Sequence, residues 1–481
     1  MAESWAREEM RNVNFEDRRL NERMQEVLSQ LGKRPTASIP AACGGHAEMT
    51  AAYRLFDNDN VTFERILAPH AEATRARMAL QRTVVLAQDT TEVDLTRPEQ
   101  QVNGAGPLGA GARRGMFLHV MHAFCEDGTP LGTLGATAWA RPEGAGNGAL
   151  TRKRARALPI QQKESYRWVE TLRQAQAEAR LCPATQLICV GDSESDIYEV
   201  LAQAQSGPKN ADWIVRAGKD RVVMPDGDET RRLREKVAAQ PALFTQTINA
   251  RGRKAQVACD HDRRRRPRKS REATIEARAA SGVILQPPWR PGGRPAPVIV
   301  NVVLALEKNS PPNDAPVEWL LLTGLPVDAP ERARDVIGFY CLRWMIEIFF
   351  RVLKSGCRVE ERLFEQIERF EACLAVYLIV AWRTLYVCRL GRTCPEIDCE
   401  SIFDPAEWKA VWTVARRGPL PSSPPPLGEI ILLVAELGGY VTRKNSPPGP
   451  QTIWIGLQRT QDFAHCWRTF GPDARKDNPL V

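Results

Sequence analysis

The 481-residue chain lacks any run of 18 consecutive apolar residues. By that measure no helical membrane span is expected. The longest apolar stretch, Cys373 to Trp382, is about half that length and reads as part of a buried helix. The opening segment MAESWAREEM is charged and carries no apolar run before a small-residue cleavage site. No targeting segment is expected, and the expected location is the cytoplasm, with no membrane partner. Cysteine chemistry is also poorly served. None of the twelve cysteines forms a C-x-x-C pair, and the six histidines do not fall at zinc spacing near them. The densest group, Cys388, Cys394 and Cys399, shows no fourth ligand, so buried reduced thiols are expected there. The glycine-rich stretch Gly104–Gly115 lacks the Lys-Ser/Thr of a phosphate-binding loop. His119 and His122, three apart on an expected strand, point to opposite faces and do not make a metal pair. The chain has no internal repeat.

Charge of one sign is not dominant either. Lys and Arg number 66 against 58 Asp and Glu, a net charge of +8 that does not by itself establish a nucleic-acid partner. Its clustering says more. Between Arg251 and Arg271 there are ten basic residues and two aspartates. Such a run suits phosphate contact, although a solvated hairpin tip has the same composition.

What is present reads as an α/β protein of several folding units. Residues 1–80 carry helical spacing through Trp5, Phe15, Leu20, Met24, Leu28 and Leu31. Thr62 is placed to cap a helix reaching about Leu80. From Thr83 the pattern changes to short β-branched runs, TVVLAQ before Asp89 and QLICVG before Asp192. MFLHVMHAF, LGTLGATAW, DWIVRA and EWLLLTG read as further strands. Residues of about 220–315 alternate as strands and read as a β-rich insertion. A long helix is expected from about Ala329 to Arg362, then a helical tail interrupted by GPLPSSPPPLG, a candidate linker.

On the expected helix, Tyr340, Arg343, Glu347 and Lys354 fall within about a 60° arc at 100° per residue. Most other positions there are apolar, so the helix is expected to be buried, and a polar stripe on it calls for a partner. One partner is internal, an Arg343–Glu347 ion pair at i,i+4. The other is a bound cation and phosphate. Asp89 and Asp192 each follow an apolar strand, where α/β sheets place their ligand chemistry, although either one alone also suits a cap or turn. Two Asp and one Glu supply the oxygen donors that Mg²⁺ prefers. Two such ions about 4 Å apart can clamp both the attacking and the leaving oxygen of a phosphodiester.

These residues resemble the DDE transposases of bacterial insertion sequences, in particular the insertion-sequence-four type, close to the transposon-five transposase. The helix motif Y-x2-R-x3-E-x6-K is met by Tyr340, Arg343, Glu347 and Lys354. Asp89-Thr90-Thr91 and GDSESDIYE around Asp192 match the two aspartate contexts. EWLLLTGLPV supplies Trp319 where the family has a tryptophan for a flipped base, and LGGYVTRK…PGPQTIWIGLQR resembles the family's tail. Phe350 departs from the pattern, standing where the nearest relatives have histidine.

The resemblance implies an RNase-H-like catalytic domain (76–370) with the β-rich insertion. It would be flanked by a helical end-binding domain (1–75) and a helical dimerisation domain (371–481). It implies cut-and-paste transposition with Asp89, Asp192 and Glu347 as ligands of two Mg²⁺ ions, which Mn²⁺ would replace. The implied partners are the inverted-repeat ends, target DNA and a second copy of the chain, at the bacterial nucleoid. Tyr340, Arg343 and Lys354 are implied DNA contacts, as are Trp319, Arg216 and Lys219. Arg19 and Arg23, with Lys33 and Arg34, would read end DNA. Two other classes stay open: a metal-dependent nuclease without strand transfer, and a non-catalytic DNA-binding regulator.

Overall fold

The computed structural model describes the chain except residues 1–3, 98, 100, 110, 145–157, 207–210, 225–231, 251, 253–266, 291–292, 442–446 and 473–481. Most of the basic run at 251–271 therefore lies outside the described residues. In chain order the first helices are α1 (Ser4–Glu9), α2 (Arg18–Lys33), α3 (Ile39–Cys43), α4 (His46–Phe56) and α5 (Phe63–Met78). Strands β1 (Thr83–Asp94), β2 (Gly106–Pro107), β3 (Arg114–Cys125) and β4 (Pro130–Trp139) follow. Next come α6 (Arg167–Leu181), β5 (Gln186–Gly191), α7 (Tyr198–Ser206), β6 (Ala211–Arg216) and α8 (Leu233–Ala238). The expected β-rich insertion contributes β7 (Phe244–Ala250), β8 (Arg271–Leu285) and β9 (Val298–Glu307), before β10 (Glu318–Thr323). The chain closes with α9 (Pro330–Leu342), α10 (Met345–Arg351), α11 (Ile367–Thr393), α12 (Pro405–Arg416), α13 (Leu427–Leu437) and α14 (Pro450–Phe470). This is the mixed α/β, RNase-H-like architecture expected, with helical regions toward both ends of the chain.

Two compact units cut across chain order. One comprises Met1–Gln81, Thr90–Gly148 and Met345–Val481; the other comprises Arg82–Asp89 and Ala149–Trp344. In the second unit β5 runs parallel to β1 and to β6, and the antiparallel series β6, β10, β9, β8, β7 continues outward. Its core forms where Val85, Ile188, Val190, Ile214, Val303 and Leu321 meet Ala333, Val336, Ile337 and Tyr340 of α9.

The first unit is built around α11. By length and composition this helix is apolar enough to cross a membrane, but its most apolar window is 78% buried within the protein. It is a core helix, as the Cys373–Trp382 stretch suggested. Its C-terminal half joins α12, α13 and α14 in one cluster that includes Trp408, Val411, Ile430, Ile431, Val434 and Ile453. The stretch Gly418–Gly428, expected as a linker, is instead a tethered loop. Trp412 Nε1 donates to the Pro419 carbonyl at 3.0 Å, and the Cys399 amide donates to Pro425 at 3.1 Å. Burial pushes the Cys388 and Cys399 thiols up to about 12, so both are protonated, while Cys394 is exposed.

A buried polar knot fastens the N-terminal helix into this unit. Arg77 of α5 grips both Glu9 carboxylate oxygens at 3.0 and 2.9 Å. His70 Nε2 accepts the Thr133 amide at 2.9 Å, so Nδ1 carries the proton it shares with Glu9 at 2.5 Å. The Arg77 guanidinium also lies 4.3 Å from the Trp382 ring centroid. Burial pushes the Glu9 carboxyl up, but His70 and Arg77 outweigh it and hold it at about 2. A carboxyl lowered on folding stabilises the fold above its ordinary 4.5 and loses that contribution as pH falls toward 2. Glu9→Gln should therefore cost about 3 kcal/mol near neutrality, and the deficit should shrink on acidification through that window. Denaturant melts of both proteins between pH 7 and pH 3 check this. A deficit that does not change with pH contradicts the assignment.

Candidate active site

The geometry starts from strand register. β1 pairs with β5 from Thr83 opposite Gln186 to Ala87 opposite Val190. Carried two residues further, the same register sets Asp89 opposite Asp192. β5 pairs with β6 from Leu187 opposite Ala211 to Gly191 opposite Val215. One step on, Asp192 stands opposite Arg216, which in turn pairs with Leu321 of β10. Adjacent strands lie about 4.8 Å apart, and in-register neighbours point to the same face. Extended past its last pairs in this way, the register would bring Asp89, Asp192 and Arg216 to neighbouring positions at the carboxyl edge of the parallel strands.

Asp89 does not end its strand, as the sequence reading had it. β1 continues to Asp94, while its parallel partner β5 stops at Gly191. Asp89 therefore lies two residues beyond the last β1–β5 pair, Ala87 with Val190, and inside β1 rather than at its end. Within the second unit an arginine lies beside each of the two carboxylates. Arg343 donates to Asp89 Oδ2 at 2.9 Å, with about a tenth of each side chain exposed. Arg216 lies 3.8 Å from Asp192 Oδ2 and bonds Ser193 Oγ at 3.1 Å. The Asp192 side chain also accepts the Glu194 amide at 2.7 Å, the turn role that its sequence context suggested. Burial raises the neighbouring Glu194 carboxyl, the Asp192 charge adds to that, and Arg167 opposes it.

The helix carrying Arg343 breaks where a single long helix was expected. α9 stops at Leu342, Arg343 and Trp344 form a turn, and α10 restarts at Met345. A π-helical turn, Val352–Gly356, follows. Here the Arg343 and Trp344 amides donate to the carbonyls of Tyr340 and Cys341, three residues back, in place of the α-helical bond to the fourth. The break leaves Arg343 at the helix C-cap, where its ion partner is Asp89.

Tyr340 is buried and edge-on to Trp319, with ring centroids 5.3 Å apart and planes at 67°. Burial raises the Tyr340 phenol, against the charges of Arg216 and Arg343. It stays protonated at neutral pH and remains a donor. Trp319 is half-buried, on β10. Glu347 is half-buried in the first turn of α10, in the first unit.

Lys354 sits in the π-helical turn. Its Nζ donates to the Glu92 carbonyl and lies 3.5 Å from Glu360. Nearby Arg113 bridges Glu92 and Asp94, each at 2.8 Å. At the N-terminus Arg19 is exposed beside Asp17 at 3.2 Å, and Arg23 pairs with Glu26 at 3.0 Å. Phe350 is buried. His119 and His122 hold separate threonines, Thr90 at 2.9 Å and Thr133 at 3.0 Å. Among the described residues, no three His, Cys, Asp or Glu side chains gather as a ready metal site.

Residues 2–61 match the family model for transposase DNA-binding. Residues 162–382 match the transposase DDE domain, and residues 379–471 match the transposase Tn5 dimerisation domain. The chain has the domain architecture of a DDE transposase. The DDE match spans Asp192 and Glu347 and begins beyond Asp89. The dimerisation match takes in the end of α11 and the cluster α12–α14. A cryo-EM structure of the piggyBac transposase synaptic complex with hairpin DNA aligns at a TM-score of 0.30 and 7% identity. The alignment covers 83% of this chain, which spans 55% of that one.

Sequence reading overlooked Asp196, whose context suits a helix cap equally well. Its buried carboxylate accepts the amides of Gly218 at 2.9 Å and Lys219 at 3.0 Å, and Arg221 Nε at 3.0 Å. It clamps the turn that carries Asp192 to the strap that carries Arg216 and Lys219. The Lys219 side chain itself is exposed. Asp196→Asn would leave the Arg221 charge buried without its counter-ion, a cost of roughly 3 kcal/mol. Thermal melts should show that loss, while a substitution of exposed Lys219 should leave stability within about 0.5 kcal/mol. Equal stability of Asp196→Asn and the parent protein contradicts the clamp.

Proposed function

We propose that this DDE transposase catalyses cut-and-paste transposition, with Asp89, Asp192 and Glu347 as the ligands of two Mg²⁺ ions. The observation that carries the reading is an arginine beside each aspartate, on paired strands whose register, extended two residues, would make Asp89 and Asp192 neighbours. Two facing carboxylates give an all-oxygen donor set that fits Mg²⁺, which ordinarily takes one or two carboxylates and completes its shell with water and phosphate oxygens. Glu347, four residues after Arg343 in the chain, is the proposed third carboxylate. When bound, the ions would lower the pKa of an attacking water or hydroxyl and neutralise charge on the scissile phosphate.

The chain's own groups then have separable work. Arg343 and Arg216 balance the carboxylates before DNA arrives and are free to turn to phosphate oxygens once the carboxylates are neutralised. Tyr340, held protonated, donates a hydrogen bond to a phosphate. Trp319, packed edge-on to Tyr340, offers a face for an unstacked base, recovering part of the unstacking cost. Lys354, Lys219, Arg19 and Arg23 contribute further phosphate contacts. In the first step water attacks phosphorus and the 3′-oxygen of the transposon end leaves. That 3′-hydroxyl attacks a phosphorus of the opposite strand, expelling the 3′-oxygen of the flanking DNA to give a hairpin; water opens the hairpin at the same phosphorus and releases the 3′-hydroxyl, which then attacks a target phosphorus and expels a target 3′-oxygen. Two copies joined through the α12–α14 region would each act on the end bound by the other. The reaction would take place on nucleoid DNA in the cytoplasm.

The test uses a duplex carrying the inverted repeats that flank the gene, incubated with Mg²⁺ and resolved on denaturing gels. Hairpin ends and joined products are expected from the wild type, with activity lost in EDTA and restored by Mg²⁺ or Mn²⁺. Glu347→Ala should lower cleavage by roughly 1000-fold, the scale of losing one electrostatic stabiliser of a transition state. Nicked or degraded DNA without hairpins would favour a nuclease lacking strand transfer. Equal cleavage by wild type and Glu347→Ala would refute the catalytic assignment.

A further inference from the structure

The connection between β8 and β9, Gln286–Pro297, reads QPPWRPGGRPAP. It holds five prolines, two arginines and no acidic residue. Trp289 within it is 71% exposed. A tryptophan left in water contributes little to the fold and is unusual for so large an apolar side chain.

Described residues on either side of it are nevertheless tied to the fold. Arg290 and Gly293 exchange both backbone hydrogen bonds, at 3.1 and 3.0 Å, with Gly293 at φ +110°. The Arg290 guanidinium grips both Glu199 oxygens, at 2.8 and 3.3 Å. The Tyr198 hydroxyl donates to the Ala296 carbonyl at 2.7 Å. Both arms of the turn are thus tied to the first turn of α7, six and seven residues after Asp192. The fold fixes a perch for an aromatic ring that it does not itself bury.

We propose that this turn is a DNA-contact site in which Trp289 stacks on an exposed base while Arg294, also exposed, meets a phosphate. Charge complementarity selects the partner. Arg290 is held by Glu199, so the exposed Arg294 is the charge that the turn offers to a polyanion, and every base offers a face to an aromatic ring whatever the sequence. Five prolines lower the entropy lost when the turn is immobilised. The proposal rests on the transposase reading and adds a further DNA contact, on a turn tied to the helix that follows Asp192.

The test is fluorescence polarisation with two labelled duplexes of arbitrary sequence, one intact and one with a three-nucleotide gap, in Ca²⁺ across a salt series. Trp289→Ala should weaken binding to the gapped duplex about tenfold with an unchanged salt slope, the signature of a lost base stack. Trp289→Phe should restore most of it. Arg294→Ala should weaken both duplexes and reduce the salt slope by about one, as for one phosphate contact. Melting temperatures of all three variants should match the wild type. Wild-type affinity in Trp289→Ala overturns the site while leaving the transposase reading intact. So does a change of oligomeric mass in Trp289→Ala without a change in DNA binding, which would make the turn a protein interface. A wild-type protein that binds neither duplex also overturns the site, while the cleavage assay on the inverted repeats decides the transposase reading separately.

Discussion

The parallel pairing of β1 with β5 is the constraint on which the site depends. It fixes which residue of one strand faces which residue of the other. A slip of one residue would turn Asp89 to the opposite face and leave Asp192 beside a glutamine. The apolar runs TVVLA and LICVG set that register, because their alternate residues Val85, Ile188 and Val190 must meet the underside of α9. Packing in the core thereby places two carboxylates side by side at its rim.

That placement is costly unless compensated, and the compensation explains the surrounding residues. Arg343 on Asp89 and Arg216 near Asp192 bring positive charge to the carboxylate row. Asp196 then holds the strap beyond β6 so that Arg216 stays where the row needs it.

Much of this was legible in the sequence, and the limits have physical causes. Short β-branched runs before Asp89 and Asp192 identified both strands, because buried parallel strands read as unbroken apolar segments. The helical ends followed from 3.6-residue spacing, and Thr62 caps α5 through the Arg65 amide at 3.3 Å. The break at Arg343 left no sign, since no proline or glycine marks it, and a helical wheel assumes continuity. Where β1 ends was hidden as well, because the strand outruns its parallel partner. Asp196 escaped notice because a buried clamp and a helix cap use the same residue type. The Pro-rich loop at 418–428 has a linker's composition, yet it is held by hydrogen bonds from Trp412 and Cys399 that composition does not encode.

The central claim is that Asp89 and Asp192 form one metal site. Titration of Mn²⁺, followed by electron paramagnetic resonance of the free ion, tests it most directly, comparing wild type with Asp89→Asn and Asp192→Asn. The account predicts that each single substitution weakens Mn²⁺ binding at least roughly tenfold, because both oxygens serve the same ions. Wild-type Mn²⁺ affinity in either variant would contradict it.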